Sequence, residues 1–180
     1  GNAVQRSADQ SLLEMSDLAG SMIIDNSPAK IVAGKSSYDF ATETVQVSGP
    51  MSFDSGAGYS LVAHDVNVAM KSQMVRSQGM LTVESNKGYS VSGSDVSYAM
   101  RSQQLSSPGI VRFRTTDGYV LDASNVLVDM AGRRMQSLGP ANGQTNLGTF
   151  RAARLLADLG VRTVTLSGNV QLRINQYVIR

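Results

Sequence analysis

Apolar residues along this chain recur at every second position, and the alternation restarts at fixed intervals. Val66, Val68 and Met70 alternate with Asn67, Ala69 and Lys71, and the pattern returns as Val96, Tyr98, Met100 and as Val126, Val128, Met130. A period of two places one set of side chains on a single face of a β-strand, so these segments read as half-buried strands. Each has a companion. Alternate residues there read Val45, Val47, Gly49, Met51, Phe53; then Val75, Ser77, Gly79, Leu81, Val83; then Leu105, Ser107, Gly109, Val111, Phe113; and lastly Val164, Leu166, Gly168, Val170, Leu172. Glycine stands on the apolar face itself, in mid-strand. Because glycine inside a strand costs about 0.5–1 kcal/mol relative to alanine, its return at one position predicts a bend or a close approach of backbones.

The other strands break in their own way. Tyr59, Leu61 and Ala63 occupy odd positions but Val66, Val68 and Met70 even ones, so one face stays apolar only if a residue is inserted at His64 and Asp65, as a β-bulge does. The same switch of parity falls at Ser94 with Asp95 and at Ser124 with Asn125. Gly20, Gly49, Gly79, Gly109, Gly139 and Gly168 are spaced by 29 or 30 residues, and Gly58, Gly88, Gly118 and Gly148 keep a second 30-residue step. Segments 58–85, 88–115 and 118–145 align without a gap, while 27–57 and 148–177 are looser copies, so one unit is repeated about six times. Strands that all bend along one line fold a sheet into two leaves. Connections as short as 71–73 and 86–88 make neighbouring strands antiparallel. Segment 150–160, FRAARLLADLG, has the spacing of a short amphipathic helix when taken alone. In the repeat, however, Leu155, Ala157 and Leu159 stand where Val126, Val128 and Met130 stand, which predicts strand there and, by the same reasoning, over 8–20. The expected fold is all-β: a bent antiparallel β-jellyroll of two facing leaves, built from ~30-residue repeats and open along one side. Residues 1–180 are expected to form a single domain.

Composition leaves little room for catalysis. The chain is 42% apolar and 17% charged, with one histidine and no cysteine or tryptophan. Neither a Cys/His nor a Ser/His/Asp constellation can be assembled except around His64, which occupies a bulge position where the sister units have Ser94 and Ser124. The reading is therefore no enzyme and no catalytic residue. Asp65, Asp95 and Asn125 recur once per unit as turn-stabilising side chains, and neither a metal nor a cofactor is expected. Tyr59, Tyr89 and Tyr119 lie on the apolar phase and are not interleaved with basic residues, which argues against nucleic acid. The net charge of +2 conceals an asymmetry: residues 1–90 carry 6 basic and 9 acidic groups, residues 91–180 carry 10 and 5, and every basic residue of the second half is arginine. Such a face suits an anion or simply solvent. No apolar run reaches the 18 or so residues that span a bilayer, and no signal peptide is visible. Gly1 begins within a pattern and without an initiator methionine, so a preceding anchor is expected to have been removed.

The run IVAGKSSYDFATETVQVSGPMSFDSGAGYSLVAHDVNVAMKSQMVRSQG, followed by GTFRAARLLADLGVRTVTLSGNVQLRI, resembles the LptC family in its alphaproteobacterial form. That family is the inner-membrane-anchored periplasmic subunit of lipopolysaccharide export and is related to the LptA, or OstA-like, fold. The likeness spans nearly the whole chain through phrases such as VQVSGPMSF, GYSL, DVNV and RTVTLSG in order, although single phrases also resemble the soluble bridge protein LptA. The resemblance implies a periplasmic domain whose transmembrane anchor is absent here. It further implies that the domain shelters lipopolysaccharide acyl chains, receives them from an inner-membrane ABC transporter complex at its N-terminal edge, and passes them to LptA at its C-terminal edge. Residues on the apolar phase then become candidates for the lipid groove: Tyr59, Leu61, Val68, Met70, Val91, Tyr98, Met100, Phe113, Leu121, Val128 and Met130. Gly49, Gly79, Gly109, Gly139 and Gly168 are the candidate bend positions, and the resemblance associates Gly139 with complex formation. The last strand alternates without proline or lysine, and Leu172, Ile174 and Tyr177 are the candidate partner edge, suited to a jellyroll partner or an edge-to-edge homodimer. Nine methionines, among them Met80 and Met135, suit either a flexible apolar guest or a packed core.

Other classes stay open on sequence. A β-solenoid structural polymer would also carry glycine-punctuated repeats, but in parallel coils. The soluble bridge protein itself is a second alternative, and an enzyme acting on glycans or lipids, for which no acid/base pair can be named, is a third.

Overall fold

The computed structural model describes residues 2–4, 11–24, 27–56, 58–99, 101–129, 131–158, 160–161 and 163–175. The alternation just described becomes strand throughout, with no helix among them. The first nine strands are β1 (Asn2–Val4), β2 (Leu12–Ile24), β3 (Ser27–Asp39), β4 (Thr44–Asp54), β5 (Tyr59–Ala69), β6 (Met74–Ser85), β7 (Tyr89–Ala99), β8 (Gln104–Thr115) and β9 (Val120–Asp129). Six short ones follow: β10 (Arg134–Ser137), β11 (Ala141–Thr145), β12 (Gly148–Ala152), β13 (Arg154–Asp158), β14 (Thr163–Ser167) and β15 (Gln171–Ile174). Each of the first nine pairs antiparallel with its neighbours in sequence. Within segment 150–160, residues 150–152 belong to β12 and 154–158 form β13, not helix, because the repeat register outweighs local helical spacing, while Leu159 lies outside the described residues.

Every long strand is interrupted on one line. Register shifts fall between Ala33 and Lys35, Val47 and Pro50, Ala63 and Val66, Ser77 and Met80, Ser92 and Ser97, and Ser107 and Ile110. On β2, β5, β7 and β9 the residue at the break is left-handed: Asp17, Asp65, Asp95 and Asn125 all have φ between 50° and 55°, and the last three each stand opposite two residues of the neighbouring glycine strand, as Asp65 does opposite Ser48 and Gly49. Asp and Asn tolerate this region better than other side chains do. The Asp65 carboxylate also accepts the Gly49 N–H at 3.0 Å.

After β9 the sheet forks. Residues 126–129 pair with β10, which leads through β13 to β14; residues 120–123 pair with β11, which leads through β12 to β15. What the sequence suggests are three continuous strands are thus each split in two, at Leu138, Gly139 and Pro140, at Ala153, and at Gly168, Asn169 and Val170. Gly168 and Asn169 there are both left-handed, with φ of 70° and 48°. The breaks stay hydrogen-bonded: Leu138 N–H donates to the Asn125 carbonyl at 2.9 Å and Ala153 N–H to that of Gly168 at 2.8 Å. The result is a bent antiparallel jellyroll of two leaves, unclosed along one side. The β10, β13 and β14 half is termed the first leaf, the β11, β12 and β15 half the second. Ala123 and Ala141 of the second leaf cluster with Val126, Leu155 and Ala157 of the first, so the apolar faces meet along the bend.

That line also buries hydroxyls. Ser36, Ser77, Ser107 and Ser137 are all below 7% exposed. Ser77 Oγ donates to the His64 carbonyl and Ser107 Oγ to that of Ser94, each at 3.1 Å, while Ser137 Oγ accepts the Leu155 N–H at 3.0 Å. A bulge leaves backbone groups without a ladder partner, and Ser77, Ser107 and Ser137 satisfy them inside the sheet, whereas the buried Ser36 Oγ has no partner among the described residues.

Candidate functional site

Two apolar rows cross the inner faces. In the first leaf, Leu13, Tyr38, Val45, Val68, Val75, Tyr98, Leu105, Val128, Met135, Ala157 and Val164 stand opposite one another on successive strands. In the second leaf the row runs Gly20, Ile31, Phe53, Leu61, Val83, Val91, Phe113, Leu121, Gly143, Phe150 and Leu172.

Burial is graded away from the bend. The buried residues beside it are mostly small, namely Ala33, Val47, Ala63, Val66, Val96, Ala123, Val126, Ala141 and Ala152. Among the described residues, the largest side chain completely shut off from solvent is Val126. The larger members of both rows, such as Tyr98, Phe53, Phe113, Met135 and Phe150, are only half-buried. Tyr89 stacks on Phe113 with ring centroids 6.0 Å apart. Close-packed interiors normally shut their large apolar side chains away. Here the sealed residues are small apart from Leu155, and the other large ones are left part-open.

Of the groove candidates, Val68, Tyr98 and Val128 fall in the first-leaf row, and Leu61, Val91, Phe113 and Leu121 in the second-leaf row. Met70 stands in the turn after β5, 49% exposed. Tyr59 opens β5, its side chain outside the described set, and Met100 and Met130 lie outside the described residues. The five candidate bend glycines all sit on the line of breaks, in different conformations: Gly49 and Gly168 have positive φ, and Gly79, Gly109 and Gly139 do not. Sequence reading missed the buried serines, although their 30-residue spacing at 77, 107 and 137 was present to be seen.

The two ends of the sheet differ. At the N-terminal end β1 covers only Glu14, Met15 and Ser16 of β2, and residues 18–24 have no second strand partner among the described residues. At the C-terminal end β14 and β15 each have one neighbour. Leu172 and Ile174 are 68% and 76% exposed, and Tyr177 lies outside the described residues.

Charged groups keep to the outer faces. Arg112 makes a two-pronged bond with Asp122 across the strand pair, both contacts at 2.5 Å, and this bond holds the Asp122 carboxyl below its usual range. Arg134 meets Asp158 at 3.3 Å, and Arg76 meets Asp95 at 2.6 Å. The Val161 N–H, and after it Arg134, likewise lower Asp158. Among the described residues no cluster of three metal-ligating side chains exists, and no helix is long and apolar enough to cross a membrane.

No known protein family matches the sequence, and no curated protein does. Among solved structures, the G-box domain of the microcephaly protein CPAP is 11% identical over 88% of this chain and 100% of that one, with a TM-score of 0.14, too low to bear on fold or function.

Proposed function

We propose that this chain is a periplasmic carrier in lipopolysaccharide export, which shelters acyl chains between its leaves on their way from an inner-membrane ABC transporter to a soluble β-jellyroll bridge protein. The observation that carries the apolar guest is the inverted burial. Contiguous large apolar surface left open to water is a binding feature in soluble proteins, and here it forms two facing rows many strands long. At about 0.8 kcal/mol per buried CH₂, one chain of about 12 carbons placed there removes roughly 10 kcal/mol of unfavourable hydration. The assignment to lipopolysaccharide in particular rests on the family resemblance. The one-sided strands at both ends fit partners that extend the sheet, the transporter at residues 18–24 and the bridge protein at β15. A parallel β-solenoid agrees poorly with pairings that are antiparallel throughout.

The test is extraction of lipid from protein purified out of a lipopolysaccharide-producing host. About one acyl lipid per chain is expected, with loss in a Val75→Asp, Phe113→Asp double variant that still folds. Protein free of lipid in both forms would refute the carrier reading.

A further inference from the structure

The second leaf carries a further concavity, lined mainly by the polar residues that alternate with its apolar row. It measures about 610 Å³, and its walls come from β9, β11, β12 and β15. Small-ligand sites run from about 300 to 1,000 Å³, so the volume admits a molecule of one or two rings. The chemistry of its lining is mixed in a specific way. Arg151 and Arg173 contribute two cations, Asn142, Gln144 and Gln171 three amides, and Thr149 a hydroxyl. The register fixes their arrangement: Arg151 stands opposite both Asn142 and Gln171, and Arg173 opposite Thr149, which itself faces Gln144. Directly opposed side chains are about 4.5–5.5 Å apart at Cβ and diagonal ones about 7–8 Å, so Arg151 and Arg173, as diagonal neighbours with long side chains, are within reach of one ligand. No salt bridge engages either arginine among the described residues. The one carboxylate in the lining, Asp122, is already held by Arg112 and is further influenced by Arg114, so it does not cancel their charge.

We propose that this concavity binds a phosphorylated sugar. Guanidinium groups present paired N–H donors that match phosphate oxygens in a fork, and two of them converge on one anion. The amides each offer both a donor and an acceptor, the pairing that sugar hydroxyls require, and they surround the arginines on the same face. These polar residues alternate along their strands with Gly143, Phe150 and Leu172 of the second-leaf row, which together with Val120 complete the lining. The concavity takes up two of the ten arginines of the C-terminal half.

The experiment is an amide chemical-shift titration of the whole chain with glucose 6-phosphate, glucose and inorganic phosphate, beside flotation with vesicles that carry a phosphorylated glycolipid. Glucose 6-phosphate is expected to shift residues 142–144, 149–151 and 171–173 saturably, at least about tenfold more tightly than phosphate, and glucose alone not at all. An Arg151→Gln, Arg173→Gln variant with unchanged melting temperature is expected to weaken binding about tenfold or more, and Arg101→Gln to leave it as it is. Flotation that needs the two arginines, with soluble sugar phosphate inert, would assign the same chemistry to a lipid head group. Phosphate binding as tightly as the sugar phosphate, or no dependence on the two arginines in either arm, would overturn the proposal.

Discussion

At the scale of single residues the bend line divides its work among three residue types. A Cβ built at Gly139 would come within 3.1 Å of the Ser124 carbonyl oxygen and would also strike the Ser124 hydroxyl, whereas at Gly109 the nearest atom, Ser94 Oγ, is an ordinary 3.7 Å away. Gly139→Val is therefore expected to lower stability by about 2 kcal/mol or more, and Gly109→Ala to change it by less than about 1 kcal/mol, measured by denaturant unfolding. The serines offer a second test. Ser107→Val removes the donor to the Ser94 carbonyl in a fully buried site, and a loss of about 1–3 kcal/mol is expected, against little change for Ser106→Val on the other phase. The carboxylates set the acid limit. Asp39, Asp122 and Asp158 are all held below their ordinary value, Asp122 chiefly by the bond from Arg112. A depressed folded pKa contributes stability that is complete above the unfolded value and lost as pH falls through the folded one. Melting temperature should therefore hold level near neutrality and drop below the reference value of 3.8, and Asp122→Asn should flatten part of that drop.

At the scale of the element, strand identity and pairing were legible because a period of two leaves only one way to keep a face apolar, and the parity switches at His64, Ser94 and Ser124 located the line of breaks, although the extra residue lies on the facing strands β4, β6 and β8 and not at the expected insertions. The fork was not legible. Whether a bent strand stays continuous depends on local dihedrals and on whether its neighbour follows the same path, and Gly139 with Pro140 repeats the order and phase of Gly49 with Pro50, where β4 stays unbroken. The buried serines were hidden for a related reason: a serine on the apolar phase reads as an ordinary interruption until the backbone group it meets is seen, a carbonyl for Ser77 and Ser107 and an N–H for Ser137. The C-terminal edge yields a prediction at this scale. Leu172 in β15 pairs on one side only, to Phe150, and Pro fixes φ and removes a donor. Ile174→Pro, or removal of residues 170–180, is expected to abolish capture of a soluble β-jellyroll bridge protein while the domain stays folded, because β15 buries almost nothing. Full capture by the shortened chain would place docking elsewhere, with residues 18–24 the other available edge.

At the scale of the molecule, the repeat gives a sheet that closes along its spine and stays open opposite it. Stability is concentrated where alanine, valine and serine interlock, and the larger apolar residues toward the opening face one another across the space between the leaves. The most direct measurement places a photo-crosslinking residue at neighbouring positions of opposite phase: Val68, Tyr98 and Phe113 on the inner rows, and Asn67, Ser97 and Arg112 on the outer face. The account predicts capture of lipopolysaccharide at all three inner positions and at none of the outer ones. Equal capture on both phases, or none on either, would contradict it.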